Sequence, residues 1–294
     1  TATSEIYTLS LHDALPIFAM FSPEVAQLSR AASGLEQEFM RALAMQHFEL
    51  FLQPQIDVGS GACHSVEALL RWRRAEGSWV APPAVIDLAE RSGVGGQMLR
   101  SLLSRQARIA DELARSGVDV TLMLNLTSQD IRDPDLPALV RQSLESWRVP
   151  ADRVGFELTE GALLVDELAA GKVVAALCEA GYTVALDDFG TGYSSLSHLR
   201  RLPVDELNID RQFVMGVCTD AQNHAMVEAL LVMARAFKLR VVAEGVETEA
   251  QATMLTEMGC DRLQGYFLAR PMNVEAFVRW WRARYGQPVA PVVP

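Results

Sequence analysis

The chain has 294 residues, 50% of them hydrophobic and 21% charged, with a formal net charge of −11. That length suits one large α/β domain or two small ones. The acidic balance argues against wrapping duplex nucleic acid, whose phosphates demand basic patches, and no uncharged apolar run is long enough to form a membrane segment.

Residues 1–17, "TATSEIYTLSLHDALPI", lack the basic start of a signal peptide, and Glu5, His12 and Asp13 interrupt the apolar stretch. The segment resembles translated sequencing-adapter sequence and is expected to be a non-native leader. Residues 18–34 read as a linker, with a helical pattern beginning near residue 23. In "LEQEFMRALAMQHF" the residues Leu35, Phe39 and Leu43 recur at i, i+4 and i+8, one apolar face of a helix.

Short β-type runs follow in order: "FELFLQPQIDV", "CHSVEALLRW", "VTLMLNLT", "RVGFELTE", "TVALDDFG", "VDELNID", "RVVAEGVE" and "RLQGYFLA". Most are dense in Val, Leu and Ile, as expected of strands covered on both faces. Helical stretches fall between them at 84–91, 97–115, 162–181 and 222–238, the last just after the capping candidates Thr219 and Asp220. Eight strands, most followed by a helix, predict a TIM-like (β/α)8 barrel. The brief "GSGAC" connection between the first two strands predicts a hairpin, hence one antiparallel strand. The barrel is expected over 35–285, with a disordered tail at 286–294.

The cysteines Cys63, Cys178, Cys218 and Cys260 lie far apart with no C-x-x-C pair, and read as buried thiols of a cytoplasmic protein. With only five histidines, a metal site would have to be built mainly from oxygen ligands.

Polar residues recur where the strands end: Glu67, Asn125, Glu157, Asp187, Asp188, Glu244 and Gln264. Taken singly, each is an ordinary solvated or turn residue. Together, at the mouth where barrel strands converge, their carboxylates would repel one another unless cations neutralised them. All-oxygen ligands suit Mg²⁺ or Mn²⁺ better than Zn²⁺, and the Asp187–Asp188 pair could bridge or flank two ions, the arrangement used on phosphodiesters. The glycines and serines after that pair, in "DDFGTGYSSLSHL" (187–199), suit a loop over the mouth. They read equally as an ordinary βα connection with a helix cap at Ser194 or Ser195.

These ordered motifs resemble the EAL domain family of cyclic di-GMP phosphodiesterases from about Leu35 to Arg282. "FLQPQIDV" is similar to the family's Y-Q-P strand, "EALLRW" to its name motif and "NLT" to its N-L-S. "ELTE", "DDFGTGYSSLSHLRRLPVDELNID", "AEGVE" and "QGYFLARPM" continue the match. The resemblance implies a barrel, often dimeric, that uses two Mg²⁺ or Mn²⁺ ions to cut cyclic di-GMP to linear pGpG. It also implies roles: Glu67, Asn125, Glu157 and Asp187 hold a first ion, and Asp187 and Asp188 a second. Glu244 helps to hold ions and the attacking water, while Gln53, Arg71 and Gln264 hold the ligand or its water. Glu160 and Glu247 anchor the loop after Asp188. The segment "FAMFSPEVAQLSRAASGLEQ" is similar to the junction that follows a diguanylate-cyclase-like domain, so an upstream regulatory or sensory domain is implied as well.

The chain departs from the family at Asn208, where the L-K-I-D motif supplies a lysine beside the attacking water. Thr127 for serine and His198 for a frequent tyrosine are milder changes. Asparagine carries neither proton nor positive charge, so an attenuated phosphodiesterase is expected, with a catalytically inactive cyclic di-GMP receptor as the alternative. A metal-dependent barrel acting on another substrate is the more distant third reading. Arg211 is expected on the strand face opposite Asp210, badly placed to replace the lysine.

Overall fold

The computed structural model describes residues 23–164, 166–190 and 202–286. The leader at 1–17, the loop and cap readings at 191–199, His198, and the tail beyond 286 lie outside the described residues. Two compact units are built from what is described.

The larger unit comprises residues 49–71 and 93–286 and contains the barrel. Its strands belong to the series β1 (Phe48–Asp57), β2 (Cys63–Arg73), β3 (Trp79–Val80), β4 (Thr121–Leu126), β5 (Val154–Thr159), β6 (Thr183–Phe189), β7 (Glu206–Ile209), β8 (Arg240–Ala243) and β9 (Arg262–Leu263). The order β1-β9-β8-β7-β6-β5-β4-β2 closes because β1 also pairs with β2, and β3 lies outside the closed ring. The neighbours from β2 through β9 run parallel, whereas β1 meets β9 antiparallel, with Ile56 opposite Leu263. All eight sequence-predicted strands are present and the antiparallel strand is the first. A tight connection reverses the chain there: Gly61 N–H donates to Asp57 O, and the Asp57 carboxylate takes the Ser60 N–H at 2.7 Å.

Parallel register brings the strand ends level. Asn125 lies opposite Glu157, Thr159 opposite Asp187, and Ile209 opposite Ala243. Alternate strand residues form one apolar face, where Leu122, Val154, Phe156, Leu158, Val184 and Leu207 are fully buried. Helix α3 (Gly95–Arg115) covers one stretch with Met98, Leu102, Leu103, Ile109 and Leu113 turned inward. Helix α8 (Ala221–Phe237) starts as predicted, with the Asp220 carboxylate accepting the Gln222 N–H.

One expected helix is two. The stretch 162–181 divides into α5 (Glu160–Leu164) and α6 (Glu167–Glu179), because Asp166 accepts the Ala169 N–H and so caps a new N-terminus. The two-residue strand β3 and the helices α4 (Leu136–Glu145), α7 (Arg211–Gly216), α9 (Glu249–Met258) and α10 (Val274–Tyr285) were not among the sequence-predicted elements. Of these, α9 carried a legible start signal, a capping box between Thr248 and Gln251.

The smaller unit joins 23–48 to 72–92. Its helices are α1 (Pro23–Ala44), which runs through the expected linker boundary at 34, and α2 (Pro82–Arg91). Phe39 and Leu43 are buried as their spacing predicts, and Phe39, Phe48 and Trp72 pack edge-to-ring with centroids 5.7–5.9 Å apart. Glu38 takes two N–H bonds from Arg74 and one from the Ala75 backbone, which hold its carboxyl below its ordinary value.

The cysteines are all free thiols, but the expectation of four buried ones fails at Cys218, which is exposed on the turn after α7, and Cys178 is only half-buried. Among the described residues no helix is long and apolar enough to cross a membrane.

Candidate active site

Two groups of acids and amides meet at the end of the barrel. In the first, Glu67 projects from β2 and is nearly fully buried. Asn125 donates to its Oε1 at 2.7 Å and Gln264 to its Oε2 at 2.6 Å. Gln264 also reaches Gln53 at 3.4 Å, and Gln53 is tied to the backbone by its bond to Ala269 O. In the second, the Asn208 amide nitrogen points at three acids. It lies 2.8 Å from Glu244 Oε1 and 3.4 Å from both Glu157 Oε1 and Asp187 Oδ1. The charge of Glu67 acts on Glu157 and so links the two groups electrostatically.

Burial and crowding push these carboxyls upward. Burial first, then the charges of Glu67 and Asp187, pushes Glu157 well above the ordinary range. Glu244 rises in the same way, from burial and the charges of Asp187 and Glu67. Burial raises Glu67 against the lowering pull of Asn125 and Gln264. Asp187 and Asp188 are each pushed up to about 6, by burial and by Glu67 or Asp187 respectively.

The β6–β7 register shifts between Leu186 and Phe189, where the two aspartates sit. Asp188 adopts a left-handed φ of 55° and its N–H donates to Asp187 Oδ1 at 2.9 Å. Such an irregularity turns consecutive side chains away from strict alternation, so that both can face one end of the barrel.

Not every predicted residue joins these groups. Arg71 sends its guanidinium to Leu70 O and lies 5.9 Å from the Phe51 ring centre, although its charge is felt by Glu67. Glu160 is buried at the start of α5, directly after β5. Glu247 is exposed and ion-paired with Arg211 at 2.6 Å. That pair corrects the expectation for Arg211: it opens helix α7 instead of continuing a strand. Its side chain lies over Gly245, where a Cβ would stand 2.3 Å from Arg211 Cγ. With Glu67, Glu244, Gln264 and Tyr266 it lines a cleft of about 230 Å³.

Sequence reading missed Gln55. It is fully buried and donates to Glu157 Oε1 at 3.3 Å. The available signal was its position two residues after Gln53, on the same face of one strand.

The donor chemistry suits hard divalent cations. The acids and amides offer oxygen only, and Glu157 Oε2 is buried with no hydrogen-bond partner among the described residues. As the side chains stand, no three His, Cys, Asp or Glu among the described residues are gathered tightly enough to hold an ion. The amides of Asn125, Asn208 and Gln264 are interleaved between the carboxylates and supply the N–H groups that cation-free acids require.

The sequence profile of the EAL domain matches residues 36–271. The chain belongs to the EAL domain family. Among similar EAL proteins is the cyclic di-GMP phosphodiesterase NbdA of Pseudomonas aeruginosa, 35% identical over 264 residues, which cover 90% of this chain and 34% of that protein. The cyclic di-GMP phosphodiesterase PdeR of Escherichia coli is 31% identical over 265 residues, 90% of this chain and 40% of PdeR. The chain thus spans well under half the length of these relatives. The EAL barrel also superposes on a structure described as the PaMucR phosphodiesterase in complex with c-di-GMP. The TM-score is 0.79 and the identity 35%, covering 83% of this chain and 99% of the other.

Proposed function

We propose that the chain is a divalent-metal-dependent phosphodiesterase that hydrolyses cyclic di-GMP to linear pGpG, slowed by Asn208 in place of lysine. The observation that carries this reading is the convergence of four acids at the barrel's end, with Glu157, Asp187 and Glu244 sharing the Asn208 amide and Glu67 held by Asn125 and Gln264. Four clustered acids, Glu67 and Glu157 buried and Asp187 and Glu244 half-buried, are costly without counter-charge, and oxygen ligands of this kind match two Mg²⁺ or Mn²⁺ ions.

When bound, such ions supply Lewis acidity to a phosphodiester and activate a water. Glu67, Asn125, Glu157 and Asp187 are the residues that would hold one ion, and Asp187 with Asp188 a second. Gln264 and Gln53, linked to each other, orient a polar group at the cleft. Arg71 and Arg211 offer guanidinium charge to phosphate oxygens. Asn208 can donate a hydrogen bond there but cannot add positive charge to a developing anion. A homodimer and an upstream sensory or diguanylate-cyclase-like domain are parts of the proposal that rest on the resemblance alone, and a cytoplasmic location rests on the widely spaced cysteines.

One observation favours a second reading, a cyclic di-GMP receptor without turnover: the Asn208 amide already satisfies three acids that a catalytic site would leave for cations. Product analysis separates the two. Purified protein with Mn²⁺ and cyclic di-GMP is run beside Glu67→Ala and Asn208→Lys. Release of pGpG by wild type, lost in Glu67→Ala, supports the enzyme. Binding without product in wild type, with product from Asn208→Lys, selects the receptor.

A further inference from the structure

The interior of a parallel barrel is ordinarily filled by branched apolar side chains. Here a line of buried polar groups runs from the acids into the barrel: Gln55, Ser65, Arg262 and Glu206, all less than 10% exposed. Arg262 Nη1 donates to Glu206 Oε1 at 2.8 Å and to Ser65 Oγ at 3.1 Å. Ser65 Oγ donates to Gln55 Oε1 at 2.5 Å, and Gln55 Nε2 donates to Glu157 Oε1 at 3.3 Å. The far end opens on a cavity of about 480 Å³ lined by Ser65, Glu206, Arg240 and Arg262, where the half-exposed Arg240 pairs with Glu206 at 2.9 Å.

The direction of this chain is forced by its first member. A guanidinium has donors and no acceptor. Ser65, receiving one of those donors on its oxygen, turns its own proton toward Gln55. Gln55 must then accept with its oxygen, which leaves its NH2 for Glu157. With the Asn208 amide 3.4 Å from the same atom, Glu157 Oε1 is held from two sides while Oε2 has no partner among the described residues.

We propose that the Arg262–Ser65–Gln55 relay is a positioning device that pins Oε1 of Glu157 and so presents Oε2 to a divalent cation. It rests on the metal-dependent reading above. Outer hydrogen-bond partners of ligating carboxylates fix their orientation, and losing one weakens metal binding about 10- to 100-fold.

The test is calorimetric titration of Mn²⁺ into the full chain, with melting of the chelator-treated protein as a check on folding. Gln55→Leu removes the donor at similar size. Ser65→Ala cuts the relay one step further away, and Ser65→Thr restores a hydroxyl. The first two are expected to weaken Mn²⁺ binding by about 10- to 100-fold, while Ser65→Thr stays close to wild type. Equal Mn²⁺ affinity in wild type and folded Ser65→Ala overturns the relay and leaves the metal-dependent reading standing; Ser65→Ala decides alone if Gln55→Leu does not fold. A wild type that takes up no Mn²⁺ overturns that reading and the relay with it.

Discussion

The carboxamide of Asn208 donates to Glu244 Oε1 at 2.8 Å, from a position sealed off from solvent. One neutral NH2 therefore stands among three carboxylates where a lysine would bring a full positive charge. An ammonium there would answer the repulsion that lifts Glu157, Asp187 and Glu244, and would face a developing phosphate charge. Asn208→Lys is expected to raise the melting temperature of the chelator-treated protein and to raise turnover by about 100-fold, the scale of a single electrostatic stabiliser. Scanning calorimetry and pGpG release measure the two separately. Unchanged turnover in a folded, stabilised variant would show that asparagine does not limit the reaction.

Burial and neighbouring acids push Asp187 and Asp188 up to about 6, against 3.8 for an ordinary aspartate. The folded chain therefore binds protons that the unfolded chain has already released. Their contribution is complete below about pH 4 and is lost as pH rises through about 6. The upward shifts of Glu157 and Glu244 extend the loss to higher pH. Metal-free protein should thus melt at progressively lower temperature from pH 5 to about pH 7.5, and Mn²⁺ should flatten the slope. A melting temperature that climbs with pH in chelator would contradict the crowded-carboxylate account.

Much of this candidate site is legible in the sequence. Acids in short apolar runs read as strand-end residues, and register then brought Asn125 level with Glu157. What the linear pattern lacked were relations between distant residues. Gln55 meets Glu157 across 102 positions, a pairing that only barrel closure creates. Arg211 was misplaced because "NIDRQF" reads smoothly as a continuing strand. In the structure Asp210 instead accepts the Gln212 N–H and starts a helix. The single helix expected over 162–181 failed for the same reason, since an aspartate inside an apolar stretch, Asp166, acts as a cap.

Gly265 follows Gln264 in the "QGYF" run, and its Cα faces the backbone of Val246. A Cβ there would stand 2.1 Å from Val246 O and 2.3 Å from Val246 N. Backbone cannot yield as a flexible side chain can, and Val246 N–H already bonds Gln264 O at 2.9 Å. Gly265→Ala should cost about 1–3 kcal/mol of stability, as overpacking does. It should also pull Gln264 from Glu67, weakening ligand binding in whatever protein folds. Urea unfolding gives the first effect and cyclic di-GMP titration the second. Wild-type stability in Gly265→Ala would mean that the two segments are further apart than described.

Burial divides the cysteines into classes that chemistry can read directly. Cys63 and Cys260 are enclosed, and loss of hydration pushes both thiols up to about 12; half-buried Cys178 is pushed up to about 12 as well, from burial and the charge of Asp205. Thiolate is the nucleophile, so at pH 8 these three present almost none of it. Cys218 is exposed. A disulfide-exchange reagent at pH 8 should therefore release about one equivalent of chromophore quickly from native protein, with the remainder appearing only in denaturant. Cys218→Ser should abolish the fast phase and leave the denatured total one lower. A fast phase that survives Cys218→Ser would mean that Cys63, Cys178 or Cys260 is reactive in the native protein and would contradict the protection argued for them.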